Sequence, residues 1–92
     1  MMGKGDWAKA AVALHTATRI KPNDAEAYAD LGLVLMVEGD GAAAMQALRT
    51  SIELKPDNAD AHALMETLTA HQADRDQLKR AARKIVTTLF AR

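Results

Sequence analysis

Apolar side chains recur at helical spacing along most of this chain. Tyr28, Leu31 and Leu35 fall three and four residues apart behind Asp24, a residue suited to cap a helix start. Gly39-Asp40-Gly41 then breaks the pattern. Ala44, Ala47, Leu48, Ser51 and Ile52 mark a further helix that Pro56 keeps from continuing far. Upstream, Trp7, Ala10, Leu14 and Ala17 share one face. The last stretch opens with Asp74 and, three residues on, Gln77, a capping-box arrangement. Its stripe of Leu78, Ala82, Ile85 and Leu89 is flanked by Ala81 and Val86, with Phe90 at the edge. Lys79, Arg80, Arg83 and Lys84 group on the other side. The pattern predicts an all-α chain of about five helices, near residues 7–20, 24–38, 41–54, 59–71 and 75–91, with boundaries good to ~2 to 4 residues.

The segments repeat. At an offset of 34 residues Gly5-Asp6 recurs as Gly39-Asp40 and Lys21-Pro22 as Lys55-Pro56, while Ala10, Leu14 and Thr16 recur as Ala44, Leu48 and Thr50. Nine of the twenty residues from Gly5 to Asp24 are identical to those from Gly39 to Asn58, too many for chance at one fixed offset. Gly32 and Ala44 lack side chains long enough to hold two helices apart, so the pair can approach closely. In the third copy His62, Met65 and Glu66 replace Tyr28, Leu31 and Gly32, and Leu78 replaces Ala44. A large polar residue where close packing needs glycine predicts a changed angle or depth for the last helix pair.

Period and residues together resemble the tetratricopeptide repeat, whose pattern is W-x2-L-G-x2-Y, A-x3-F and P. Residues 25–58 read Tyr28, Leu31-Gly32, Leu35, Ala44, Leu48 and Pro56, with Ser51 where the family usually has alanine. Residues 5–24 match the second half of such a repeat, and 59–92 a degenerate repeat with a capping helix, all in one domain. The resemblance implies a right-handed solenoid of antiparallel helix pairs, serving as an interaction scaffold. It also implies that the first helix of each pair lines a concave, peptide-holding groove. By alignment those positions are Glu26, Ala29, Asp30, Leu33, Met36 and Val37 on one helix, and Asp60, Ala63, Leu64, Thr67, Ala70 and His71 on the next. Leu33 and Val37 have packing against the neighbouring repeat as an equal alternative. An apolar surface with acidic accents suits a protein or peptide with apolar anchors and some basic residues. One subclass clamps a C-terminal carboxylate with lysine, arginine and asparagine, and Asp30, with no basic residue at these positions, argues against that mode.

Composition narrows the remaining classes. Twelve basic and twelve acidic side chains cancel, which removes any whole-molecule case for nucleic acid or anionic membrane as partner. Without cysteine there is no disulfide framework, thiolate metal site or cysteine nucleophile. No apolar run approaches the ~20 residues of a membrane span, so no membrane insertion is expected. The cytoplasm is the default compartment unless the chain is a fragment of a longer exported or anchored protein.

A catalytic constellation is missing. His15, His62 and His71 never stand three or four residues apart, so no helix presents a pair to a metal. His62 is read as a packing residue equivalent to Tyr28. Ser51, the one serine, falls where packed helices need a small residue and has no base beside it. Gly39-Asp40-Gly41 resembles a phosphate loop, but no strand precedes it and Gly5-Asp6 repeats it as an inter-helix turn. Neither an enzyme nor a cofactor site is expected. Two other roles stay open: self-association, with a possible homodimer, through an N-terminal edge of Trp7, Ala11 and Val12, and service as an accessory domain of a larger enzyme or regulator. The basic face of the last helix reads as solvated surface.

Overall fold

The starts of the last four helices are each fixed by a side chain that takes up an otherwise orphaned backbone N–H. In the computed structural model, which describes residues 4–71 and 74–90, the helices are α1 (Lys4–Ile20), α2 (Ala25–Val37), α3 (Gly41–Leu54), α4 (Ala59–Ala70) and α5 (Arg75–Phe90). The Oδ1 atoms of Asp24, Asp40 and Asn58 accept from the amides of Ala27, Ala43 and Ala61 at 3.2, 3.1 and 3.4 Å. Oδ1 of Asp74 accepts from Asp76 and Gln77 at 3.0 and 3.2 Å. At the other end of α2, Gly39 takes φ +82°. The Gly39 amide donates to Met36 at 3.0 Å and that of Asp40 to Leu35 at 2.9 Å. That is the Schellman arrangement a left-handed glycine permits. Among the described residues there is no strand, and no helix is long and apolar enough to cross a membrane.

The closest packing joins α2 to α3. A methyl group on Gly32 would lie 2.6 Å from Leu48 Cγ and 2.7 Å from its Cδ2. Glycine is therefore required where Leu48, fully buried, presses into α2. Buried Ser51 ties the same pair: its hydroxyl donates to the Ala25 carbonyl at 2.7 Å and accepts from Asn58 Nδ2 at 3.3 Å. A hydroxyl so enclosed and committed is a structural group. α1 and α4 then flank α2 and α3, as a helical-repeat stack requires.

α5 departs from the repeat. If it followed the period, it would lie on α4 as α3 lies on α2, yet it packs more extensively on α2 than on α4. The physical reason is in the register. Glu66, exposed, stands on α4 where α2 has Gly32, and Ala82 stands on α5 where α3 has Leu48, so neither hole nor knob exists. Instead Leu78 and Ala82, 2% and 0% exposed, enter the common core. Burying a leucine that completely stabilises by roughly 1.5 to 3 kcal/mol. The N-terminal turn of α5 covers the α2–α3 turn, since a Cβ on Gly39 would meet Arg75 Cγ and Lys79 Cε, both at 2.7 Å. With α5 folded inward, the molecule measures 30 × 28 × 26 Å and no open crescent is left.

The C-terminal half of α2 is consequently covered on all sides, every residue from Leu31 to Val37 being buried. Met36 and Val37, at 0% and 2% exposure, belong to the core and not to an accessible groove. Packing, the alternative held open for Val37, is where the structure puts it. His62 also differs from its expected role. It is exposed, and its Nε2 lies 2.7 Å from the Pro56 carbonyl, which it reaches as the donor tautomer.

The Gly32 contact yields a direct test. Alanine improves intrinsic helix propensity by about 1 kcal/mol, but its methyl collides with the branch point of a leucine locked on all sides, at about 1 to 3 kcal/mol. Gly32→Ala is therefore expected to lower stability by about 1 kcal/mol net, read as a reduced midpoint in urea denaturation. A stabilised variant would contradict the close approach.

Candidate interaction groove

The α2–α4 neighbourhood, where first helices of successive pairs lie side by side, forms a depression of about 440 Å³. α2 contributes Glu26, Ala29, Asp30 and Leu33, and α4 contributes Asp60, Ala63, Leu64 and Thr67. Asn58, the cap of α4, closes one end, and Ile85 of α5 forms a wall. Leu33 and Leu64, 8% and 6% exposed, make an apolar floor, while Glu26, Asp30 and Asp60 stand exposed above it. The volume lies in the range that holds a few side chains of a ligand.

The alignment-derived positions thus separate into two sets. Glu26, Asp30, Leu33, Asp60, Leu64 and Thr67 come together around one depression. Met36 and Val37 do not reach it: both are buried in the C-terminal half of α2, the helix on which α5 packs. His71 sits at the end of α4 as its C-cap, its amide donating to the Thr67 and Leu68 carbonyls at 3.2 and 3.3 Å. Asn58 and Ile85 were missed. Asn58 is legible as the repeat of Asp24, but the place of Ile85 follows from the displacement of α5, which no linear pattern specifies.

Chemically the depression offers acceptors and no cation. Thr67 donates its hydroxyl proton to the Ala63 carbonyl at 3.1 Å, leaving oxygen lone pairs toward the surroundings. Asp30 carries the strongest electrostatic signature. Partial burial raises its pKa above the usual carboxylate range, and the negative charges of Glu26, Asp24 and Asp60 raise it further. Among the described residues no group of three histidine, aspartate or glutamate side chains is placed to hold a metal ion. The acids therefore form an extended negative rim, not a chelating cluster.

A smaller cleft of about 210 Å³ lies across α2, lined by Trp7, Val37, Glu38, Lys79 and Arg83. Trp7 is half-buried and packs against the core, and Ala11 is buried beside α2. Of the three residues expected at an N-terminal edge, Val12 is the one left open, at 66% exposure.

The Asp30 shift predicts how stability depends on pH. A raised carboxyl pKa means that the folded chain binds the proton more tightly than the unfolded chain, so ionised Asp30 disfavours folding. That penalty is complete above the folded pKa, fades as pH falls toward the unfolded value of about 3.9, and is gone below it. Asp30→Asn is expected to melt above the native chain at neutral pH, with the advantage vanishing near about pH 3, as measured by calorimetry across that range.

Comparison with known proteins agrees with the repeat geometry. No curated protein and no solved structure gives a significant match. A family model described as tetratricopeptide repeat matches residues 1–69, which takes in α1 to α4 and stops before the displaced helix. The chain belongs to the tetratricopeptide repeat family, whose members are in general protein-interaction modules without catalytic activity of their own.

Proposed function

We propose that this chain is a protein-binding module whose α2–α4 depression receives an apolar segment bearing a lysine or arginine. Asp30 carries the argument. Glu26 and Asp60 occupy first helical turns, where a negative charge stabilises the helix dipole whether or not anything binds. Asp30 stands a turn further on, partly desolvated and surrounded by like charge, and gives the fold nothing in return. A cationic side chain seated over Leu33 and Leu64 would neutralise Asp30, bridge to Asp60 and cover the apolar floor. Ala29 and Ala63 leave room for the ligand's own side chains between the acids.

A second reading, homotypic association, draws on the outer side of α1. Val12 and Ile20 are 66% and 79% exposed, two turns apart with Thr16 between them. Exposed aliphatic residues in line along a helix favour a packed partner. Scattered single residues of this kind are common, so the acidic depression remains the leading site.

Peptide-display selection tests the first reading with exposed residues alone. Native protein is expected to enrich peptides with lysine or arginine beside leucine or isoleucine. An Asp30→Lys, Asp60→Lys variant should enrich aspartate or glutamate, with affinity for the native-selected peptides lowered on the order of tenfold or more. The same consensus from both proteins would remove the depression as the site. Substituting Met36 is uninformative, because a charge there would enter the core. For the second reading, light scattering up to roughly millimolar concentration should show a dimer that Val12→Asp disperses. A monomer throughout would end it.

A further inference from the structure

The helix that departs from the repeat shows what its concave face accepts. α5 runs antiparallel to α2: Arg75 and Lys79 lie over the turn at Gly39, while Ile85 reaches the depression beside Ala29 and Leu33. It packs on α2, where Met36 and Val37, which the repeat alignment assigns to the ligand side, are buried, Val37 beside Lys79 and Arg83. Among its described side chains the footing is narrow. Leu78 and Ala82 are buried, Lys79, Ala81, Ile85 and Val86 half-buried, whereas Arg80, Arg83 and Lys84 remain in solvent. α3, the helix at the equivalent place in the preceding repeat, buries Ala44, Ala47, Leu48 and Ser51 and presses into a glycine hole. α5 has no such hole on either neighbour, and its own pair partner α4 scarcely holds it.

We infer that α5 is a resident ligand: it occupies the C-terminal half of the concave face, and a basic amphipathic helix from a partner protein binds by replacing it. The chemistry of the incoming helix is written in the tenant. A large, a small and a large apolar residue, spaced as Leu78, Ala82 and Ile85 are, face the core, Leu78 beside Leu68 over Gly41 and Ile85 between α2 and α4. Cations flank that stripe, as Lys79, Arg80, Arg83 and Lys84 do here. The acidic rim adjoins the tenant's seat, and Ile85 is common to both, so a cationic helix lying one or two turns further along α2 would meet Asp30 and Asp60. This inference rests on the proposed groove function and adds a competitor to it. Affinity for an outside helix is reduced in proportion to the fraction of molecules in which α5 is unseated.

The test uses a labelled synthetic peptide copying residues 74–90 and three full-length proteins. These are the native chain, Leu78→Asp to loosen α5, and Glu38→Cys, Lys79→Cys joined by a short bis-maleimide, specific because the native chain has no cysteine. Glu38 and Lys79 line one cleft, so the tether holds α5 in place. Peptide affinity is expected to rise about tenfold or more in Leu78→Asp and to disappear in the tethered protein. Equal affinity in all three would overturn the inference. If that occurs while Asp30→Lys still reverses the charge preference in peptide selection, the groove reading survives alone. If instead Leu78→Asp gains affinity that Asp30→Lys, added to it, leaves unchanged, the tenant is real and the acidic rim is not its neighbour's receptor. Should Leu78→Asp fail to keep native circular dichroism, hydrogen exchange on the native chain decides. Exchange of α5 amides through an opening that leaves α2 and α3 protected supports displacement, and exchange of all three helices together refutes it.

Discussion

Leu48 fills the space where residue 32 would otherwise carry a side chain, and the remaining architecture follows from that contact. Because Gly32 admits Leu48, α2 and α3 form a tight pair, and Ser51 reaches the Ala25 carbonyl to lock their ends. α1 and α4 can then stack against an established unit. The same contact explains the exception. One period later the hole holds Glu66 and the knob is Ala82, so the pairing that orders the middle of the chain has no counterpart at its end. α5 keeps its apolar stripe and must bury it somewhere, and the free apolar surface within reach is the concave side of α2.

Helix number and type, and the starts of α2 to α5, were legible because each rests on local chemistry, whereas α1 begins at Lys4, three residues before its expected start. The caps at Asp24, Asp40, Asn58 and Asp74 and the left-handed Gly39 act within a few residues of themselves. The tight α2–α3 pair was legible for another reason, since a fixed period makes one local motif predict a contact between two. What escaped was the destination of α5. Glu66 announces that the regular contact fails, but a failed contact does not name its replacement. Met36 was therefore read as a groove residue when it is core, Val37 was left open between groove and packing, and Ile85 was read as part of a stripe on the last pair when it walls the depression. His62 was misplaced for a simpler reason: homologous register assigns a position, whereas its short ring finds the Pro56 carbonyl before it finds the core.

The neutral net charge conceals a strong segregation. Between Pro22 and Leu48 there are five acidic residues and no lysine or arginine, whereas Arg75, Lys79, Arg80, Arg83 and Lys84 crowd α5. Part of this arrangement follows from helix dipoles, which favour acids such as Glu26 and Asp60 at helix starts. The dipole does not account for Asp30, nor for cations distributed through the body of α5. Folding α5 across α2 brings the basic helix to the edge of the acidic rim. Electrostatic attraction between exposed groups is weak and screened by salt, so it biases the seating of α5 without fixing it.

That bias matters because the apolar part of the contact is small. A helix held, among its described side chains, by one buried leucine, one buried alanine and three half-buried aliphatics is near the balance at which an outside competitor of the same pattern can take its place. Stronger attachment would have needed only a glycine at position 66 with a leucine at 82, the combination the chain already uses at 32 and 48. Restoring that pair would give α5 a seat on α4 of the kind that α3 has on α2. Glu66 and Ala82 thus do more than weaken the last repeat: they set which of two apolar faces, that of α4 or that of α2, the final helix covers.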